Sequence, residues 1–227
     1  MEFTVKPIAH IKSDFSSKFG IPRQSGLVDE LEAKIIFEKE YCVPDAFRGL
    51  EGYSHIWILW LFSECTDKEW SPTVRPPRLG GNKRMGVFAS RSPFRPNSIG
   101  LSCVKLISIN ETDENGISLT VSGADLLDGT PIIDIKPYLP YVDSHPEASG
   151  GFALQEKEGS LEIAFPNELL ETIPKDKQKA LTAVLKQDPR PQYHNDPERL
   201  YGLEFAGFDV RFRIADNVLT VVEVKKI

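Results

Sequence analysis

The segment SHIWILWLF, residues 54–62, contains the longest apolar run of this 227-residue chain. Its β-branched and aromatic side chains favour an extended backbone, and we predict a central β-strand here. A run this short cannot cross a bilayer, so no membrane-spanning segment is expected.

Strand-like segments lie on both sides of this central strand. Phe3–Lys12 alternates apolar and polar residues, as a half-buried strand does. Further strands are predicted over residues 33–37, 84–90, 100–109, 117–121 and 132–135. Clusters of Gly, Pro, Asn and Asp separate them at spacings typical of a barrel or a sandwich. Because long amphipathic helices do not alternate with these strands, a doubly wound sheet is not expected.

The composition changes after about residue 145. Residues 143–151 (DSHPEASGG) are small, polar and rich in breakers, like a linker. Beyond them we predict a strand over 160–165, two helical segments divided by Pro174, and an extended stretch over 187–193. Residues 201–214 and 218–224 predict a hairpin. The sequence therefore divides into residues 1–145, which are mostly β, and a small α+β domain over residues 146–227.

Charge is unevenly distributed along the chain. The whole chain has 27 Lys and Arg against 33 Asp and Glu, whereas residues 70–110 contain no acidic residue. A positively charged segment, here called the acid-free window, within an otherwise negatively charged chain predicts a site for an anionic partner. The basic residues of this window are Arg75, Arg78, Lys83, Arg84, Arg91, Arg95 and Lys105.

Several other chemistries find no support in the sequence. Residues 79–84 (LGGNKR) match neither a phosphate loop nor a dinucleotide fingerprint. The four histidines are too scattered for a metal site, and His55 at the head of the central strand is expected to be structural. The three cysteines form no CxxC pair, which is typical of a reduced, cytoplasmic protein with buried thiols. The first residues lack a signal-peptide pattern.

Four polar, breaker-rich segments remain: residues 21–26, 75–78, 91–97 and 125–131. Prolines beside arginines lower the entropy of a loop, so guanidinium groups can be held ready for an anion. Ordinary turn chemistry explains any one segment equally well. Four such segments, together with the acid-free window, favour a shared site.

Three motifs carry a family resemblance. RPPRLGGNKRMGVFASRSPFRPNSIGLS (75–102), DLLDGTPIIDIKPYLPY (125–141) and QDPRPQY (187–193) resemble the TsaA-like or TrmO family of tRNA (N6-threonylcarbamoyladenosine-N6)-methyltransferases. The similarity runs from about Phe3 to the C-terminus and is to the longer, bacterial type. It implies an N-terminal β-barrel that binds S-adenosylmethionine, a small appended domain, and a homodimer with the site near the interface.

The resemblance also implies a cofactor site. In one position this chain departs from the family pattern, because Ser63-Glu64 follow the central strand where a His-Gln-like pair is expected. The matched cofactor-binding positions are Pro22, Arg23, Gln24, Ser63, Glu64, Arg91, Leu101, Ser122, Gly123, Ala124 and Asp125.

The implied reaction is methyl transfer to N6 of threonylcarbamoyladenosine, just 3′ of the tRNA anticodon. Our hypothesis assigns tRNA phosphates to Arg75, Arg78, Lys83, Arg84 and Arg95. Asp134, Lys136 and Tyr138 are further candidates for the substrate site. Asp125, Asp134 and Tyr138 are candidates for orienting N6 or accepting its proton.

Two other classes stay open at this stage. A tRNA- or polyanion-binding module without chemistry would keep the basic window but would have no affinity for S-adenosylmethionine. A small-molecule methyltransferase on the same barrel would bind the cofactor and ignore tRNA. We expect a cytoplasmic protein with no bound metal and no membrane contact.

Overall fold

The computed structural model describes residues 2–65, 69–76, 79, 83–113, 116–154, 160–190 and 196–227. The N-terminal strands are β1 Ala9–Lys12, β2 Glu32–Phe37, β3 His55–Leu61, β4 Thr73–Val74, β5 Met85–Gly86, β6 Ile99–Asp113, β7 Gly116–Ser122 and β8 Pro131–Pro137. The C-terminal elements are α1 Pro140–Asp143, β9 Glu162–Ala164, α2 Asn167–Leu170, α3 Lys175–Lys186, β10 Tyr201–Phe205, β11 Phe208–Ala215 and β12 Val218–Lys226. Single 3₁₀ turns lie at Lys39–Tyr41, Pro44–Ala46, Leu50–Gly52, Ser63–Cys65, Val87–Ala89 and Gly151–Leu154.

Six strands form a closed barrel in the order β1-β2-β7-β6-β3-β8. Neighbouring strands pair antiparallel, and β8 closes the barrel against β1, with Ala9 opposite Ile132. Closure leaves the barrel without a free sheet edge. The predicted fold class, a mostly β chain with an N-terminal barrel, is confirmed.

Strand β3 alternates despite its continuous apolar sequence. Ile56, Ile58 and Trp60 point into the barrel core and are buried. The alternate residues face outward and are only partly buried. Two of them, Leu59 and Leu61, lie opposite the exposed Leu101 and Ile99 of β6. The unbroken run therefore reflects a strand that is apolar on both faces.

The C-terminal strands form a second sheet in the order β10-β11-β12-β9. Pro166 and Pro174 lie at the N-cap positions of α2 and α3, so the predicted division of the helical region at Pro174 is found. The predicted long first arm of the hairpin is wrong, because Ala206 and Gly207 have positive φ and turn the chain between β10 and β11. Asp188 at φ 50° also interrupts the stretch predicted to be extended over residues 187–193, of which residues 191–193 lie outside the described residues.

Three other local expectations need correction. The strand predicted from Phe3 begins only at Ala9: Phe3 is 83% exposed, and Pro7 has no N–H to give to a ladder. The strand predicted over 84–90 is reduced to β5, since Ser90 bonds back to the carbonyl of Val87 in a 3₁₀ turn. The predicted burial of the thiols is wrong as well, because Cys42, Cys65 and Cys103 are free and only partly buried.

The described residues form two hydrophobic clusters of buried side chains. One fills the barrel, and the other lies between the C-terminal sheet and α3. The second cluster also contains Phe15, Val28 and Leu31, which come from the segment between β1 and β2. Part of the N-terminal sequence therefore belongs to the C-terminal core. In the part of the chain that the structure describes, no helix has the length and apolar character needed to span a membrane.

Candidate active site

A cavity of about 510 Å³ lies where four loops meet the first residues of β6. One loop precedes β2, one follows β3, one precedes β6 and one joins β7 to β8. This volume is within the usual range for a small-molecule site. Eight of the eleven predicted cofactor positions line it: Pro22, Arg23, Gln24, Ser63, Glu64, Arg91, Leu101 and Asp125.

A chain of hydrogen bonds runs from the barrel core to this cavity. Trp60 Nε1 donates to Ser102 Oγ at 3.0 Å, and Ser102 Oγ donates to Asp125 Oδ1 at 2.6 Å. Ser102 is buried, so its hydroxyl has little access to water as an alternative partner. Trp60 and Asp125 both line the cavity. The two hydrogen bonds to Ser102 therefore hold both of these side chains in place in the cavity wall.

The environment of Asp125 alters its acidity. Burial raises the pKa of its carboxyl above the ordinary value. The hydrogen bond from Ser102, two backbone N–H groups and the positive charge of Arg91 act in the opposite direction without cancelling the effect of burial. Asp125 is thus a carboxyl group held at a desolvated wall of the cavity.

Hydrogen bonds hold residues 23–26 against the barrel and the loop that precedes β6. Arg91 Nη1 donates to the side-chain oxygen of Gln24, and the Gln24 amide nitrogen donates to the carbonyl of Arg23. Ser25 Oγ accepts from the N–H of Cys103 at 3.1 Å, and the N–H of Gly26 donates to Gly123 O at 2.9 Å. These bonds bring the first and third breaker-rich segments of the sequence together.

The turn over residues 122–124 supports the site without lining it. Ser122 is buried, and its Oγ donates to the carbonyl of Asp29 at 2.5 Å. Gly123 has φ +77°, and a Cβ there would lie 3.2 Å from the backbone nitrogen of Gly26. Ala124 is packed in the barrel core. The structure therefore places these three predicted cofactor positions behind the cavity wall.

Sequence reasoning missed several lining residues. Lys18 forms an ion pair with Glu64 at 3.8 Å and donates to its carbonyl oxygen at 3.3 Å, which links two loops across the cavity. Nothing in the local sequence marks Lys18. Trp60 and Phe62 could have been found, since they end the central strand beside the predicted Ser63-Glu64 contact.

The basic residues of the acid-free window occupy different positions. Arg95 lines the cavity, but its Nη1 donates to the carbonyls of Ser90 at 2.8 Å and Ser92 at 3.3 Å, which holds its own loop. Arg75, Lys83 and Arg84 are exposed. The predicted phosphate contact Arg78 lies outside the described residues.

Asp134, Lys136 and Tyr138 do not line the cavity. Asp134 and Lys136 form an exposed ion pair with each other at 2.7 Å. The ring of Tyr138 lies 5.7 Å from that of Trp57, which is on the outward face of β3. The structure places these three predicted substrate residues on the outer surface of β8 and just beyond it.

The cavity combines three kinds of surface. Arg23 and Arg91 supply positive charge, Glu64 and Asp125 supply carboxyl groups, and Phe62 is among its apolar walls. A ligand with both charges and a flat ring would match this combination. No group of three or more His, Cys, Asp or Glu side chains suited to a metal ion is found within the described ranges.

The described chain is a closed β-barrel protein with a mixed-charge cavity at its loops, and it exposes cationic residues between β4 and β5. The family model of the tRNA-methyltransferase O N-terminal domain matches residues 10–144, and that of the TrmO C-terminal domain matches residues 158–227. The chain belongs to the TrmO family.

Individual relatives agree with this assignment. The chain is 42% identical over 222 residues to the tRNA (adenine(37)-N6)-methyltransferase of Escherichia coli K12, covering 94% of both chains. It is 39% identical over 145 residues to the "Probable S-adenosyl-L-methionine-binding protein" of Methanothermobacter thermautotrophicus, covering 63% of this chain and 96% of that one. The crystal structure of TrmO from Pseudomonas aeruginosa superposes with a TM-score of 0.78 at 33% identity, covering 99% of this chain and 100% of that one.

Proposed function

We propose that this protein is an S-adenosylmethionine-dependent methyltransferase that methylates N6 of threonylcarbamoyladenosine beside the tRNA anticodon. The observation that carries the proposal is the cavity, which collects residues from four separate loops and from β6, eight of them at positions matched to the family's cofactor site. The similarity to tRNA (adenine(37)-N6)-methyltransferase over nearly the whole chain supports the reaction.

The residues of the cavity fit S-adenosylmethionine chemically. The cofactor carries a carboxylate, which suits Arg23 or Arg91, and an ammonium and a sulfonium, which suit Glu64 and Asp125. Its adenine ring suits an apolar wall such as Phe62. Glu64 takes part in this set even though Ser63-Glu64 depart from the family pattern.

S-adenosylmethionine supplies a methyl group made electrophilic by the adjoining sulfonium. The protein's share of the reaction is mainly to hold two reactants in line, and such positioning can lower a barrier by roughly 7–11 kcal/mol in well-oriented cases. Of the three candidate proton acceptors, Asp125 lines the cavity, whereas Asp134 and Tyr138 do not. Burial raises the pKa of Asp125, which makes its carboxylate a stronger base toward the N6 proton.

The tRNA substrate is proposed to contact the exposed side chains of Arg75, Lys83 and Arg84 through its phosphates. These residues come from the acid-free window that also supplies Arg91 and Leu101 to the cavity. Cationic side chains outside the cavity would let the protein bind the phosphates of the anticodon loop while the modified base enters the site.

A homodimer is proposed as the working form. Leu59, Leu61, Ile99 and Leu101 form an apolar patch on the outward faces of β3 and β6, and Ile99 and Leu101 are 40% and 50% exposed. Apolar surface of this kind marks interaction sites. Three of these residues also line the cavity, which supports a site near the interface. Light scattering on wild type and Leu59→Glu would test it: a dimer that dissociates in the variant is expected, and a monomeric wild type would refute it.

The remaining parts of the proposal follow from the substrate. A tRNA-modifying enzyme is expected to act in the cytoplasm. The ranges of the two family models support a division of the chain near residue 145, into domains over residues 1–145 and 146–227.

The experiment that tests the function is methyl transfer from labelled S-adenosylmethionine to two tRNA pools, one with threonylcarbamoyladenosine and one without it. Label in the modified pool alone, recovered on that nucleoside after digestion, is the expected result. Equal label in both pools would place the acceptor elsewhere. Transfer to neither pool, with the cofactor bound, would refute a tRNA substrate.

A further inference from the structure

The segment from Asp14 to Ile21 joins two barrel strands, yet it packs on the C-terminal sheet. Phe15 is 1% exposed, and its ring lies edge-on to that of Phe205 at 5.4 Å. The Phe19 ring stacks on Tyr201 at 6.3 Å and on Phe212 at 6.5 Å. These aromatic contacts bury the segment in a core to which β10 and β11 contribute.

Polar contacts also hold the segment 14–21 against the C-terminal elements. Lys177 Nζ on α3 donates to Asp14 Oδ2 at 2.7 Å, and the two side chains are 28% and 15% exposed. The N–H of Ala206 donates to the carbonyl of Asp14 at 2.8 Å. Asp14 is therefore held through both its side chain and its backbone by the C-terminal elements.

Gly20 brings the backbone against β10. It has φ +87°, and a Cβ built at this position would lie 2.3 Å from Leu203 Cδ1. A side chain is thus disfavoured by both conformation and space. Leu203 is fully buried, so the glycine rests directly on a fixed part of the C-terminal core.

Lys18 already lines the cavity, and the lining resumes at the residue after Gly20. Ile21 packs against the C-terminal cluster and also lines the cavity, and Pro22, Arg23 and Gln24 continue the lining. On their far side, Ser25 and Gly26 are hydrogen-bonded to the barrel. The lining residues 21–24 therefore connect the C-terminal core at one end to the barrel at the other.

We propose that the C-terminal domain positions the cofactor loop: Lys177 and Leu203 act as positioning residues that hold Asp14–Ile21, so that Pro22, Arg23 and Gln24 are ordered before S-adenosylmethionine binds. This inference rests on the proposed function, since it takes the cavity as the cofactor site. Ordering a loop in advance removes an entropy cost from binding. The C-terminal domain then influences cofactor affinity without touching the cofactor.

The first test removes the ion pair in the full-length protein. Lys177→Met keeps the aliphatic stem and removes the charge, whereas Lys177→Arg retains a donor for Asp14. Lys225→Met is the matched control, because Lys225 pairs at 2.7 Å with Glu223 on its own strand β12. Calorimetric titration with S-adenosylmethionine in the absence of tRNA should show about a fivefold higher Kd for Lys177→Met only, with Lys177→Arg near wild type.

The second test truncates buried leucines of the C-terminal hydrophobic cluster. Leu203→Ala and Leu219→Ala each truncate a fully buried leucine of the same cluster, but Leu219 lies on β12, where it pairs with Ile163 of β9 and Ile214 of β11. Both should lower Tm, and only Leu203→Ala should raise the Kd for S-adenosylmethionine. Equal effects of the two variants would mean that lost stability, not loop position, weakens binding. If Leu203→Ala does not fold, the comparison of Lys177→Met with Lys177→Arg tests the positioning role instead.

The outcomes separate this inference from the proposed function. Wild type that binds S-adenosylmethionine, with Lys177→Met binding equally well, overturns the positioning role alone. A raised KM for tRNA with unchanged cofactor Kd would assign the C-terminal domain to tRNA contact instead. Wild type that fails to bind S-adenosylmethionine overturns the proposed function itself.

Discussion

The hydroxyl of Ser102 joins Trp60 to Asp125: it accepts from the indole nitrogen at 3.0 Å and donates to the carboxylate at 2.6 Å. A serine hydroxyl has one donor hydrogen and can fill both roles at once. Because Ser102 lies on β6 and Trp60 on β3, the carboxylate at the cavity wall is oriented by two paired strands of the barrel.

Ser102→Ala should weaken both the barrel and the cavity. The change leaves the Trp60 indole without its buried acceptor and removes one of the donors to Asp125, so the free energy of unfolding should fall by about 1–3 kcal/mol. The affinity for S-adenosylmethionine should fall as well, since Asp125 loses its fixed orientation. Ser108→Ala is the control on the same strand, where the hydroxyl donates to Asn110 Oδ1 at 3.1 Å. Urea unfolding and calorimetric titration measure the two effects, and wild-type cofactor affinity in Ser102→Ala would contradict the role given to this bond.

Asp125→Asn should raise stability while it lowers affinity. Burial places the pKa of Asp125 in the folded protein above its ordinary value of 3.8, so the folded state binds more protons between the two values. The ionised carboxylate therefore costs stability as the pH rises through the folded-state pKa, and asparagine removes this cost. The variant should unfold at higher urea than wild type at pH 7, and the difference should shrink as the pH falls below 3.8.

The same variant should bind S-adenosylmethionine more weakly at pH 7, because the cavity loses one of its negative charges. A destabilised Asp125→Asn at neutral pH would show that the carboxylate has favourable interactions that outweigh its burial. Tighter cofactor binding would contradict a role for Asp125 opposite a cationic group.

Gly100→Ala should disrupt the wall formed by Trp60. A Cβ at position 100 would lie 2.2 Å from the indole ring, which is packed in the barrel and cannot move away as a flexible chain end could. We expect a loss of about 1–3 kcal/mol in the free energy of unfolding, together with weaker cofactor binding. Gly86→Ala is the control, since a Cβ at that position has no atom of the described residues within 4 Å apart from its chain neighbours. Thermal unfolding of Gly100→Ala and Gly86→Ala measures the difference. Equal Tm values would mean that the Trp60 indole shifts at little cost in free energy.

Arg84→Ala should weaken tRNA binding without altering cofactor affinity. Loss of one phosphate contact should reduce the slope of log K against log salt by about one. Lys12→Ala on β1 removes an exposed charge from a strand that contributes nothing to the cavity lining, and it should leave tRNA binding unchanged. Titration of tRNA at several salt concentrations measures the slopes, and equal slopes for Arg84→Ala and wild type would remove Arg84 from the phosphate surface.

The barrel strands could be predicted from sequence because each carries a local signal, most clearly the apolar run of β3. The ends of the strands could not, since pairing decides them: Phe3 has the alternation of a strand but lies before the ladder begins at Ala9. The turn at Ala206-Gly207 was missed because alanine rarely adopts positive φ, whereas Asp216-Asn217 is a familiar turn pair.

The candidate site was predictable in part for a different reason. The family resemblance implied Gln24, Arg91 and Asp125, which the fold gathers around one cavity. The same reasoning could not separate residues that line the cavity from those that support it, such as Ala124, because burial depends on the tertiary structure. Lys177 carries no sequence signal at all, since its contact with Asp14 joins two distant parts of the chain.

The central claim is that this cavity binds S-adenosylmethionine, and calorimetric titration of the full-length protein tests it most directly. Arg91→Met removes a cationic group of the cavity, and Arg48→Met is the matched control, because Arg48 pairs with Asp45 outside the cavity. We expect one cofactor bound per chain in wild type, at least fivefold weaker binding in Arg91→Met, and no change in Arg48→Met. Absence of binding in wild type, or equal binding in all three proteins, would contradict the claim.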